Sequence, residues 1–256
     1  MKINVWYLSD PERMDFLVEN MKPENLDNTI FAIILDFTKP WTFLDQLSQW
    51  ADVIFEINKR LLLQLPVSKQ NEMKKKMEDR FKFYKNPAKT ENKEYEEGEG
   101  EKKEDEGDNE MREALNEMTL EEGILSVNYG IQIMVICTKA EVVATGETMK
   151  YFKTRFEFIL KHLREFTLRY GAALIFTSAK RGTNIDVLYN YLQHLFFDAD
   201  FNIPPEVYNK ERIFIPTGYD SPRFVEQLAP NIDDPYDKIV NNLGVGDQVN
   251  DEEEVT

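Results

Sequence analysis

Apolar positions along the chain fall into two kinds of block. Short blocks are continuous: Asn4-Val-Trp-Tyr-Leu8, Ile30-Phe-Ala-Ile-Ile-Leu35, Gln132-Ile-Met-Val-Ile-Cys137 and Ala172-Ala-Leu-Ile-Phe-Thr177. Runs of this length bounded by polar residues predict strands, and the continuous ones predict strands covered on both faces. Longer blocks repeat every three or four residues. Leu44, Leu47, Ala51, Ile54 and Leu61 mark one side of a helix from about Pro40 to Gln64. Pro40 suits its first turn and Pro66 its end. Met73, Met77 and Phe81 mark a charged helix over 68–84, and Phe152, Phe156, Ile159, Leu163, Phe166 and Tyr170 mark a long one over 149–170 that stops at Gly171. A helix over 184–197 carries Ile185, Leu188, Leu192 and Leu195. Strands alternating with helices predict an α/β domain with a mostly parallel sheet and helices on both faces. Pro204-Pro205 ends the alternation, and Arg212-Ile-Phe-Ile-Pro216 is expected as a short extended piece outside the main unit.

Charge changes the picture of the segments between. The formal net charge is −16, but 86–122 carries 15 acidic and 5 basic residues and 247–256 five acidic ones. The remainder is close to neutral, so the low isoelectric point says little about the folded surface. We expect one domain made of 1–85 and 111–240, a disordered acidic insertion at 86–110 and a disordered acidic tail at 241–256. A linker between two domains is the alternative for 86–110. No basic stripe stands out, which disfavours nucleic acid as a partner. The longest uninterrupted apolar run, Ile30 to Leu35, has six residues, against the ~20 of a membrane-crossing helix, so no direct membrane insertion is expected.

Candidate chemistry is sparse. One cysteine, Cys137, excludes an intrachain disulfide and a multi-cysteine zinc site; it is expected as a buried small hydrophobe in a reducing compartment. His162 is expected on the solvated side of its helix and His194 at a helix end, where the dipole favours it. Trp41 and Trp50 are expected in packing. Asp36 and Asp45 make no acid/base pair without a pocket. No metal site is expected.

Ligands of open parallel sheets bind beyond the carboxyl ends of the strands. Two such ends, Cys137-Thr-Lys-Ala-Glu141 and Thr177-Ser-Ala-Lys180, resemble the base-recognition motifs of Ras-like GTPases. That resemblance makes Thr138, Lys139, Glu141, Ser178, Ala179 and Lys180 candidate, vestigial nucleotide-binding residues. It departs from the pattern in having Glu141 where an aspartate reads guanine. The Gly-x-x-x-x-Gly-Lys-Ser/Thr loop that cradles phosphates occurs nowhere in the 256 residues. No cofactor and no catalysis are therefore expected; a bound nucleotide is implied only at the level of the family.

Longer strings carry a second resemblance. Asp36-Phe-Thr-Lys-Pro-Trp-Thr-Phe-Leu-Asp-Gln-Leu-Ser-Gln-Trp50, Tyr129-Gly-Ile-Gln-Ile-Met-Val-Ile-Cys-Thr-Lys139, Tyr170-Gly-Ala-Ala-Leu-Ile-Phe-Thr-Ser178 with Asn184-Ile-Asp186, and Ile213-Phe-Ile-Pro-Thr-Gly218 are similar to segments of the cytoplasmic dynein light intermediate chains. Phe156-Glu-Phe-Ile159 and Arg164-Glu-Phe166 extend the likeness. The resemblance implies a Ras-like domain that is a non-catalytic accessory subunit of a microtubule motor, located in the cytoplasm and on the cytoskeleton. It implies binding to the dynein heavy-chain tail and a link to cargo adaptors. On the family's pattern, its first strand and P-loop would precede Asn4 and its adaptor-binding extension would follow Val240, so both are expected to be missing here. Two alternatives stay open: a Ras-like nucleotide-binding switch, and a regulatory protein whose acidic segment binds a basic partner.

Overall fold

The computed structural model describes residues 3–87, 119–144 and 148–228. The acidic insertion, apart from its first two residues, and the tail lie outside them. Three parallel strands, β1 (Ile30–Asp36), β2 (Gln132–Thr138) and β3 (Ala173–Phe176), are followed by a two-residue antiparallel strand, β4 (Phe214–Ile215), in the sheet order β1-β2-β3-β4. Helices α1 (Met14–Asn20), α2 (Phe43–Leu62), α3 (Val67–Lys82), α4 (Thr148–Tyr170), α5 (Ile185–Phe197) and α6 (Pro222–Glu226) complete the order, with 3-10 turns at Pro11–Arg13, Pro23–Asn28, Pro40–Thr42 and Ala140–Ala144.

The pleat assigns alternate residues to opposite faces. Ile33, Leu35, Ile133, Val135, Cys137, Leu174 and Phe176 meet α2 and α4 in the larger apolar core. Met134, Ile136, Ala173 and Ile175 face the other way, under Tyr191, Leu188 and Leu192 of α5. The result is a three-layer sandwich of the expected class. On α2 the predicted stripe is buried at Leu47, Ala51, Ile54 and Leu61 and half-buried at Leu44, and Ile57 and Asn58 join it.

Below the strand starts, a polar network joins five elements. Arg80 of α3 donates to the Gln132 side-chain oxygen, and Gln132 Nε2 donates to Thr217 Oγ1 (3.0 Å). The Thr217 N–H donates to the Tyr191 hydroxyl (3.1 Å), and Thr217 Oγ1 donates to the Gly171 carbonyl (3.3 Å). Burial holds the Arg80 guanidinium below its ordinary pKa, outweighing the opposing influence of Tyr191 and Asp198, and burial pushes the Tyr191 phenol up.

Four expectations need correction. Asn4 to Leu8 forms no strand: its apolar residues pair with no described strand, and only Leu8 packs on the core. β1 is not covered on both faces, because Ala32 and Ile34 are exposed where α5 does not reach. The 212–216 segment lies inside the domain rather than outside it. Ile213, Phe214 and Ile215 are buried, and Phe214 and Ile215 pair with β3. His162 is half-buried rather than solvated, its ring 4.3 Å from that of Phe158 and its Nδ1 2.8 Å from Glu165 Oε2.

Candidate functional site

The parallel register decides which side chains meet at the carboxyl ends of the strands. Asp36 lies opposite Thr138, and Cys137 opposite Phe176, so the loops after β1, β2 and β3 open side by side. Asp36 closes β1 with a local turn. Its Oδ1 accepts from the Thr38 N–H (2.9 Å) and the Thr38 hydroxyl (2.8 Å). Its Oδ2 accepts from Lys139 Nζ at 2.6 Å. Partial burial pushes the Asp36 carboxyl up, but Lys139 and Thr38 together outweigh it and hold the group below its ordinary pKa.

Lys139 reaches Asp36 because the chain reverses there. Its φ is +59°, in the left-handed region that non-glycine residues seldom enter. The reversal buries Ala140, whose N–H donates to the Thr177 carbonyl (3.0 Å), while the Thr177 N–H donates to the Cys137 carbonyl (2.8 Å). The Thr138 hydroxyl donates across to the Leu35 carbonyl (3.1 Å). The loop after β2 is therefore stitched to both neighbouring strand ends.

The loop after β3 is built the same way. Ser178 is fully buried, bridges Thr183 through two backbone hydrogen bonds (3.1 and 3.0 Å), and accepts from the Arg181 N–H on Oγ (3.1 Å). Its hydroxyl also hydrogen-bonds the Glu141 carboxylate. That bond foremost, then the Glu141 backbone N–H, holds the carboxyl below its ordinary pKa, with Lys180 and Arg181 adding charge. Arg181 donates to Glu211 Oε2 at 2.8 Å, and Ala179 and Lys180 are exposed.

Asn184 is a site residue that motif reasoning passed over. It sits at the N-cap of α5 with φ +54°, and its buried side-chain amide donates to the Phe176 carbonyl (2.9 Å) and the Arg212 carbonyl (3.0 Å). One side chain thus ties the end of β3 to the segment that leads into β4. The readable signal was the polar Thr183-Asn184 pair directly before an apolar helix.

The structure brings Thr138, Lys139, Glu141, Ser178, Ala179 and Lys180 to one end of the sheet. Lys139 is paired with Asp36 and Glu141 with Ser178, so both charged side chains have partners within the protein. The backbone after β1 turns through Pro40 into a 3-10 helix and offers no glycine-rich cradle. Among the described residues, no cluster of His, Cys, Asp and Glu could hold a metal ion, and no helix is long and apolar enough to cross a membrane. Cys137 is buried inside β2, where desolvation pushes its thiol well above the ordinary pKa. His194 is more specifically placed than a dipole contact requires, with Nδ1 2.8 Å from the Ala199 carbonyl.

Comparisons with known proteins agree with this architecture. The chain is 31% identical over 260 residues to cytoplasmic dynein 1 light intermediate chain 1 of Rattus norvegicus, a match covering 98% of this chain and 48% of the relative. It is 32% identical over 213 residues to the Gallus gallus protein of that name (82% of this chain, 40% of the relative) and 26% identical over 287 residues to the one from Dictyostelium discoideum (95% and 55%). The chain thus spans about half the length of the curated relatives it matches. A crystal structure of the dynein light intermediate chain's conserved domain superposes with a TM-score of 0.60 at 20% identity, covering 92% of this chain and 71% of that one, which shows the shared Ras-like fold. The family described as dynein light intermediate chain matches residues 1–256, and the chain belongs to that family.

Proposed function

We propose that this protein is a non-catalytic accessory subunit of a cytoplasmic dynein complex, acting by binding. Its Ras-like domain docks on the heavy-chain tail and helps link the motor to cargo in microtubule-based transport. The work is done in the cytoplasm and on the cytoskeleton, and ATP hydrolysis belongs to the motor chain. The observation that carries this reading is the family match over the whole chain, in strings far longer than any nucleotide motif. The internal pairing of Lys139 with Asp36 and of Glu141 with Ser178 supports binding over chemistry, because the side chains nearest to a nucleotide site serve as loop ties.

Reconstitution with a dynein heavy-chain tail tests the reading. The expected result is a complex that co-sediments and survives gel filtration. Failure to co-sediment, or turnover of GTP by the purified protein, overturns it. Calorimetry with Mg²⁺ and GTP provides the second arm. Micromolar binding abolished by Lys139→Ala would move the protein to the nucleotide-switch class.

A further inference from the structure

Helix α3 is a basic element in an acidic chain. It carries six basic residues against three acidic ones, whereas the whole chain has a net charge of −16. Its inner side, at Met73 and Met77, closes a small cavity against the Pro23–Asn28 turn, the start of β2 and the end of α5. The cavity measures about 20 Å³. Gln132 and the two methionines are buried on its lining, and Asn28 and Lys76 stand exposed at its rim.

Two cations line this cavity, Lys76 and Arg80, one turn apart on α3. A guanidinium has five N–H donors, and buried charges are ordinarily paired. Among the described residues, the half-buried Arg80 makes one side-chain hydrogen bond, to the Gln132 oxygen, and no ion pair. Lys76 has no ion-pair partner among them either. The one carboxylate on the lining, Asp27, is already paired with Lys69, Oδ2 to Nζ at 2.9 Å.

We infer that this cavity is a docking site for an acidic segment of a partner protein, one of whose carboxylate side chains enters beside Lys76 and Arg80. Charge selects the occupant, because the lining holds two cations without a counter-ion and one carboxylate that already has one. Size selects the head group: room of about 20 Å³ admits the tip of one aspartate or glutamate side chain. The planar fork of Arg80 matches the two oxygens of a carboxylate, which takes up donors that Gln132 leaves open. Leu195 and Phe196 give the cavity an apolar wall, where a charge pair is stronger than in water. Lys74 and Lys75, exposed on the same helix, attract flanking carboxylates and steer the encounter.

Fluorescence anisotropy of the whole chain with a fluorescein-labelled hexaglutamate peptide tests this, with hexaglutamine as the neutral control. Hexaglutamate alone is expected to bind, more weakly as salt rises. Lys76→Gln is expected to weaken binding about tenfold and Arg80→Lys by at least as much, since each removes a charge-assisted contact. Lys75→Gln makes the same charge change on a separate groove of α3 and is expected to stay within about twofold of the wild type. Far-UV circular dichroism and melting curves verify folding, and Lys76, exposed and outside the Gln132 network, decides the matter if Arg80→Lys does not fold. No binding of hexaglutamate overturns the proposal. So do equal losses for Lys75→Gln and Lys76→Gln, which mean diffuse attraction to the helix. Inorganic phosphate that displaces the peptide at equal concentration overturns it too, because the cavity then takes a free oxyanion. Hexaglutamate that binds only after deletion of 91–110 also overturns it, and assigns the cavity to the chain's own acidic segment. Peptide binding is scored apart from heavy-chain co-sedimentation, so either can fail alone.

Discussion

Arg164 of α4 and Asp220 in the turn before α6 form a two-pronged ion pair, Nε to Oδ2 at 2.7 Å and Nη2 to Oδ1 at 2.6 Å. Both side chains are 6% exposed. Asp220 Oδ1 also accepts from the Ser221 N–H (3.0 Å), which fixes the start of α6. The pair pins the segment after β4 onto the long helix, within a family string read from the sequence only as a resemblance.

Removing one partner of this pair leaves a buried, uncompensated charge. Arg164→Ala and Asp220→Ala are each expected to cost about 3–5 kcal/mol, while the double change to apolar residues of similar volume, Arg164→Met with Asp220→Leu, is expected to cost far less than their sum. Urea denaturation of the two single variants and the double variant measures the coupling. Additive losses would show that the two groups act independently.

Gly218 allows α3 to approach the turn that follows β4. Its φ is +93°, and a Cβ there would lie 2.5 Å from the Arg80 carbonyl oxygen and 2.9 Å from Tyr84 Cβ. Gly182 is also left-handed, φ +67°, but has open space around it. Gly182→Ala is expected to cost the conformational penalty alone, about 1 kcal/mol, and Gly218→Ala several times more because backbone must move. Comparing their chemical denaturation midpoints separates strain from clash; equal losses would mean the α3 contact yields freely.

The central strands were legible because β2 has neighbours on both sides, so its continuous apolar run states its environment correctly. β1 has the same kind of run and a different environment. Composition reports hydrophobicity, not which neighbours are present to cover it, and Ile34 is therefore misread. The same limit explains Asn4 to Leu8, strand-like in residue type but without a strand to pair with among the described residues. Phe214 and Ile215 were misplaced for the opposite reason. Two residues are too short for a periodicity, although three apolar side chains in a row already spoke against an external position. At the site, motif spacing set Lys139, Glu141 and Ser178 at neighbouring strand ends, where the structure also has them, but Asp36 was weighed only against Asp45. A parallel register with Asp36 opposite Thr138 makes Lys139 its natural partner, and that register is a tertiary fact.

The Asp36–Lys139 bridge gives stability a pH dependence of known sign. The carboxyl titrates lower in the folded chain than in the unfolded one, near 3.9, so the unfolded state binds more protons between the two values. Its contribution is fully present above the unfolded value and is lost as pH falls through the folded one. Both side chains are substantially exposed, at 41% and 52%, so solvent screening limits the effect to less than ~1 kcal/mol. Asp36→Asn is expected to lower the melting temperature slightly at pH 7 and to converge with the wild type as the pH falls through the range where the folded carboxyl takes up its proton. A gap that widens on acidification would reverse the assignment.

Cys137 offers a chemical clock for the sheet. It lies in the central strand with no exposure, and burial keeps its thiol protonated far above neutral pH. Only the thiolate reacts, so modification requires opening of the strand pairs that flank it on β1 and β3. A disulfide reagent such as dithionitrobenzoate at pH 8 is expected to label the folded protein at the rate of sheet opening, and to label the urea-unfolded chain at once and stoichiometrically. Because Leu35 and Phe176 hold Cys137 from either side in register, Arg164→Ala should accelerate labelling only in proportion to its loss of global stability. A native thiol that reacted as fast as the unfolded one would mean that the carboxyl end of β2 opens separately from the core.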